Sequence, residues 1–158
     1  MGAVRKLQIR LLTIFSILVI GAVLISAPVL AQKVPEKILQ EALIKATLLT
    51  FNDANVTGIY TVLHAKLSKP FRDQFSPERL KTVFKEFHDK QIDFDIIAAK
   101  PPIMSQEPRV DDDGKLSLYG YFDASTKTRV HFQLEYILSD GEWKPTKINV
   151  QLKAPDKS

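Results

Sequence analysis

The chain has 158 residues, with 22 Lys and Arg against 18 Asp and Glu, three His and no Cys. The lack of cysteine excludes disulfides, a lipid-modified cysteine and thiolate metal sites. The formal charge of +4 does not point to nucleic acid, because Arg5, Lys6 and Arg10 fall in the first 31 residues, which carry no acid, and the remainder holds 19 basic against 18 acidic residues, interleaved rather than gathered in a stripe.

Those three cations precede an uncharged apolar run from Leu11 to Ile25 and a small-residue tail, Ser26-Ala27-Pro28-Val29-Leu30-Ala31. Positive flank, apolar core and small residues are the order of a secretory signal, here with cleavage after Ala31 and an exported domain, periplasmic or secreted. The rival is a retained membrane anchor over 11–31, since about 20 apolar residues span a bilayer. Pro28, the short apolar core and the lack of a following aromatic or basic anchor favour cleavage. The remaining 32–158 stretch has the length of one domain and shows no repeat or long linker.

Pro35 opens the first predicted helix, with Leu39, Ala42, Leu43, Ala46, Leu48 and Leu49 recurring at helical spacing through Phe51. Asn52-Asp53-Ala54-Asn55 loosens that pattern and Gly58 ends it. A second helix is expected over Ile59–Leu67, with Ile59, Val62, Leu63 and Leu67 on one side, stopped by Ser68-Lys69-Pro70. Ser76 as N-cap, Pro77 and Glu78 start a third, striped by Leu80, Val83, Phe84 and Phe87. After Gln91 the period becomes alternating. Phe94, Ile96 and Ala98 read as a short strand, and Asp111-Asp112-Asp113-Gly114 as a turn joining Pro108–Val110 to Lys115–Phe122. Thr128–Leu138 reads as the longest strand, Ser139-Asp140-Gly141 as a hairpin turn, and Trp143–Leu152 as the last strand. The class is therefore α+β, with two to three N-terminal helices packed on one face of a curved antiparallel sheet.

That order, with Phe51-Asn52-Asp53-Ala54-Asn55-Val56-Thr57-Gly58 followed by Leu67-Ser68-Lys69-Pro70-Phe71-Arg72, resembles the nuclear transport factor 2-like superfamily over most of 35–152. The closest resemblance is to its small exported bacterial members without an assigned activity. The resemblance implies a cystatin-like cone and dimers paired through the outer face of the sheet. In the enzymes of that superfamily catalysis comes from Asp, His and Tyr side chains pointing into the cone. No catalytic motif of theirs is matched here, so none of their residues is carried over.

The local candidates for chemistry are His64, Asp53 and Tyr60, with Asp93, Asp95 and Tyr136 behind them. An imidazole moves protons near neutral pH, yet His64 four residues after Tyr60 on a helix is equally a hydrogen-bonded, half-buried side chain. Asp53 reads as a group satisfying backbone donors near a helix end. Tyr136, on the inward face of the longest strand, needs a buried partner or a pocket, and with Phe84 and Phe132 it marks the candidate ligand pocket. His88 reads as a solvated residue at a helix C-terminus. The histidines are too dispersed for a metal site, and the Asp111–Gly114 run lacks the spacing of a calcium loop. Asn55-Val56-Thr57 matches the glycosylation sequon, which has meaning only in a eukaryotic secretory route.

Alternation assigns Leu118, Phe122, Val130, Phe132, Leu134, Leu138, Ile148 and Val150 to the helix-packed face. The opposite parity holds Tyr119, Tyr121, His131, Gln133, Glu135, Ile137, Trp143, Lys147 and Asn149, an aromatic and polar mixture of the kind enriched at protein interfaces. Two functions follow as expectations. One is an exported, non-catalytic binding or assembly domain, homodimeric through that face and holding a small apolar ligand between helices and sheet, with no cofactor. The other is an isomerase, dehydratase or hydrolase using His64 and a carboxylate.

Overall fold

The computed structural model describes residues 33–155. The candidate signal over 1–31 lies outside the described residues. Among those described, no helix is long and apolar enough to cross a membrane.

Helix α1 runs from Lys37 to Thr57 and ends at Gly58, which takes the left-handed conformation (φ 71°) that a side chain would resist. Four short helices follow: α2 (Thr61–Lys66), α3 (Lys69–Gln74), α4 (Pro77–Val83) and α5 (Lys85–Asp89). A 3-10 turn over Asp95–Ala99 leads to the strands β1 (Ile103–Met104), β2 (Arg109–Val110), β3 (Leu116–Asp123), β4 (Arg129–Ser139) and β5 (Glu142–Lys153). The sheet is antiparallel in the order β1-β3-β4-β5, with β2 sharing the outer edge of β3 with β1. The helices and this five-stranded sheet make the expected α+β architecture.

The core lies between α1 and the sheet. Ile44, Leu48, Phe51 and Ala54 of α1 are buried together with Leu116, Leu118 and Phe122 of β3, and Val130, Phe132, Leu134 and Tyr136 of β4. Phe51 is the hub that ties the later helices to α1. Its ring meets Phe84 and Phe87 edge-on at 4.7 and 5.2 Å, and Phe94 at 6.3 Å. Edge-to-face pairs of this kind add about 0.5–1.5 kcal/mol each beyond area burial.

Several elements differ from expectation, each for a local reason. The buried stripe of α1 is rotated: Ile44, Thr47, Leu48, Phe51, Asn52 and Asn55 are buried, whereas Leu39, Ala42 and Ala46 are exposed. The helix also continues through Asn52–Asn55, because those polar side chains find partners inside. Ser68-Lys69-Pro70 does not simply stop a helix. Ser68 is the N-cap residue of α3 and Pro70 lies in its first turn, where a missing N–H costs nothing. On α2, Leu63 and Leu67 are buried, but Ile59 and Val62 are 63 % and 61 % exposed.

The third expected helix breaks at Phe84 into α4 and α5, and the Phe94–Ala98 strand is instead the 3-10 turn. Asn52 explains the latter. Its amide donates to Asp93 and Asp95 at 2.8 and 2.7 Å and its carbonyl oxygen accepts from the Phe94 N–H at 3.0 Å, which curls the segment against α1. The Asp111–Gly114 turn forms as expected, with the Asp111 carboxylate accepting from the N–H groups of Asp113 and Lys115. So does the β4–β5 hairpin, whose two-residue turn Asp140-Gly141 has positive φ at both positions. Leu138, expected inward, is 42 % exposed near the end of β4, and Leu152 near the end of β5 is 38 % exposed.

Candidate functional site

One irregularity in the last strand helps to build a cleft beside α1. Up to Glu135 the β4–β5 pairing is regular, with Glu135 opposite Lys147, but Tyr136 pairs with Pro145 and Leu138 with Trp143. Thr146 is therefore an extra residue, a β-bulge, placed beside a proline that has no N–H for the ladder. The bulge shifts the alternation of everything before it. Trp143, expected on the outer face, instead shares the inner face with Tyr136 and packs against the core.

Trp143 thus becomes one wall of a cleft of about 240 Å³ between α1, α2 and the start of β5. Leu43 and Ala46 of α1 and Pro145 of β5 supply apolar lining, Thr47 and Thr50 supply hydroxyls, and Lys66, Glu142 and Lys144 stand at the rim. Tyr136 forms the floor, fully buried, with its hydroxyl donating to the Leu43 carbonyl at 3.0 Å. A phenol has one proton to give, so in the 3.0 Å contact between Thr47 and Tyr136 the threonine is the donor. Burial pushes the Tyr136 hydroxyl well above the usual phenol range, only partly opposed by the Thr47 bond. It is a fixed neutral anchor. Above it, Lys66 donates to the Thr50 hydroxyl at 2.7 Å, and that hydroxyl donates to the Ala46 carbonyl at 2.7 Å.

Of the three residues expected to line the ligand pocket, Tyr136 lines this cleft and Phe84 and Phe132 do not. Phe84 stacks on Tyr60 and meets Phe51 at the other end of α1, and Phe132 is buried against Phe122 at 5.6 Å. The expected catalytic group does not assemble either. Tyr60 is buried and donates to the Asn55 side-chain oxygen, and burial raises its pKa. Asp53 is exposed near the C-terminal end of α1, its backbone carbonyl accepting from the Thr57 hydroxyl. His64 lies 3.4 Å from the Arg72 carbonyl, and the carboxylate that feels its charge is Glu78. Glu78 is held below the usual carboxylate range by its own backbone N–H, then the Ser76 hydroxyl, and last His64. Asp93 and Asp95 serve the Asn52 clamp. His88 is not a solvated residue: it is half-buried, and its Nδ1–H donates to the Asn55 carbonyl at 2.7 Å. Asn55 itself is fully buried, so the sequon it begins is closed to a glycan. No cluster of three or more potential metal-ligating side chains occurs among the described residues.

On the outer face, Tyr119, Tyr121, His131 and Gln133 lie as expected, beside one another across β3 and β4. They are engaged with their own neighbours. Tyr119 donates to Glu135 at 2.8 Å, and Lys147 donates to the same carboxylate at 3.0 Å and stands 5.9 Å from the Tyr119 ring. The Arg129 guanidinium lies 4.4 Å over the Tyr121 ring, with the His131 ring tilted against it at 5.4 Å, and Asn149 donates to Gln133 at 3.2 Å. Burial raises the Glu135 pKa, but the bonds from Tyr119 and Lys147 and the charges of Lys147 and Lys115 outweigh it and hold the group below the usual range.

Sequence reasoning missed Lys66, Thr47, Thr50 and the inward Trp143. The available signal was Pro145, since proline inside a strand marks an edge or a bulge and so forbids counting parity across it. The fold and cleft define a small α+β domain with an apolar, tryptophan-walled recess. No family model, curated protein or solved structure matches the chain.

Proposed function

We propose that the chain is an exported, non-catalytic binding domain whose cleft between α1, α2 and β5 takes a small, largely apolar ligand. The observation that carries this reading is the wall of Trp143 facing Leu43 and Ala46 over a floor that holds no titratable pair. Small-molecule sites combine apolar walls with a few placed polar groups. At about 240 Å³ the recess has room for about eight water-sized groups of about 30 Å³ each, a fragment-sized ligand. The export part rests on the order of residues 1–31. An enzyme is less well supported, because Tyr60 is bonded to Asn55, His64 lies against the Arg72 carbonyl, and the exposed Asp53 is bonded through its backbone carbonyl alone. Pairing through the outer sheet face is also less well supported than the cleft. That face has lost Trp143, and its remaining tyrosines are covered by Lys147 and Arg129.

Trp143 is the single tryptophan of the chain, so its emission reports the cleft directly. Titration with the neutral six-carbon amide hexanamide should shift or quench that emission saturably. Ala46→Phe, at an exposed position on the cleft wall, should fill the recess and abolish the response while leaving the circular dichroism unchanged. A response that survives Ala46→Phe would remove the cleft as the site.

A further inference from the structure

The hydroxyl protons of the cleft are all committed within the protein, so few donors remain for a ligand. The proton of Tyr136 goes to the Leu43 carbonyl, that of Thr47 to Tyr136, and that of Thr50 to the Ala46 carbonyl. None of the three hydroxyls has a proton left for a ligand. Donors remain at two places: the Lys66 ammonium, which uses one of its N–H groups on Thr50, and the Trp143 indole N–H, which has no acceptor in the protein among the described residues.

The charges at the rim are unequal in the same sense. Lys144 stands between Asp140 at 3.2 Å and Glu142 at 3.8 Å, so that part of the rim is neutralised internally. Lys66 has no carboxylate within ion-pair distance among the described residues, and its nearest polar partner is the neutral Thr50 hydroxyl.

Building on the apolar-cleft reading, we propose that the ligand is a small amphipathic carboxylate, its apolar body against Trp143 and its carboxylate on Lys66. A carboxylate is acceptor-only and anionic, which matches the unpaired Lys66 ammonium; a neutral alcohol or amide meets the same apolar wall without that charge-assisted bond. The ammonium sits at the mouth rather than in the floor, so the head stays near water while the tail is buried.

The test compares hexanoate with hexanamide, which match in size and differ in charge, by Trp143 emission and by amide shifts of the cleft residues, in wild type, Lys66→Met and Lys66→Arg. The expected result is that wild type prefers hexanoate by roughly three- to tenfold, less at high salt. Lys66→Met should lose the preference, hexanoate falling to the affinity of hexanamide or below it in the same variant; Lys66→Arg should retain it. Equal affinity for both compounds in wild type would overturn the carboxylate assignment and leave the apolar cleft standing. A preference that survives Lys66→Met would overturn the role of Lys66. Failure of either compound to perturb Trp143 or the cleft amides would overturn the cleft reading itself, and this proposal with it.

Discussion

Ser68 and Ser76 each stand at the N-cap of a short helix, α3 and α4, yet only Ser76 caps with its side chain, accepting from the Arg79 N–H at 3.3 Å. Ser68 is anchored through its backbone, its N–H donating to the Pro145 carbonyl at 2.8 Å, and its buried hydroxyl has no partner among the described residues. An orphaned buried hydroxyl is a cost, and a made cap is a gain. Ser76→Ala is therefore expected to lose about 1 kcal/mol in urea unfolding, whereas Ser68→Ala should be neutral or gain up to about 1 kcal/mol. Equal losses at both sites would show that the Ser68 hydroxyl is satisfied. In the sequence Ser76 stands directly before Pro77 and reads as a helix start, whereas Ser68, two residues before Pro70, reads as a helix stop. What separates the two caps in the fold is the strand packed against one and not the other. The same holds for His64, Tyr60 and Asp53. Their types and helical spacing are legible, but their bonds run to the Arg72 carbonyl, the Asn55 side chain and the Thr57 hydroxyl rather than to one another, a choice that residue type alone does not encode.

At the scale of elements, legibility follows how far a signal reaches. The Ser76-Pro77-Glu78 start, the Gly58 stop and the Asp140-Gly141 turn depend on backbone preferences of a few residues, and all three form where the sequence places them. The strand pattern of β4 is equally local, since an uninterrupted alternation needs no outside information. The 3-10 turn over Asp95–Ala99 was misread because Asn52, more than forty residues earlier, claims both carboxylates and the Phe94 N–H. The cleft was missed for a single-residue reason, the bulge at Thr146. If Thr146 is the extra residue, its deletion restores a regular ladder in which Tyr136 still faces Pro145 and Leu138 still faces Trp143. The expected outcome is a folded variant whose Trp143 emission maximum stays within a few nanometres of wild type. A strong red shift, reporting an outward tryptophan, would place the irregularity elsewhere in the hairpin.

Across the whole molecule the charged groups respond to pH with two separated limbs. Asp93 is held below the usual carboxylate range by the Asn52 amide and then the Asp95 N–H, and Asp140 by Lys144 through its hydrogen bond and charge. Glu135 and Glu78 are lowered as well. A group whose folded pKa lies below its unfolded value stabilises the fold above the unfolded value, about 4 for these side chains, and that stabilisation disappears as pH falls through the folded value. At the other end the Lys147 pKa is raised, chiefly by its bond to Glu135, and that of Tyr136 is raised by burial. A raised group supplies its stabilisation in full below the unfolded value, about 10 for both types, and loses it as pH rises further. Thermal unfolding should accordingly show a plateau between about pH 5 and pH 10, falling on either side. Glu135 belongs to both limbs, as the acid itself and as the partner of Lys147, so Glu135→Gln should lower the plateau and make both limbs shallower. Tyr136→Phe should flatten the alkaline limb and leave the acid limb untouched, since Phe carries no proton to lose. An acid limb that changes with Tyr136→Phe, or an alkaline limb indifferent to both substitutions, would show that the sheet's outer network and the cleft floor are not what sets the pH response.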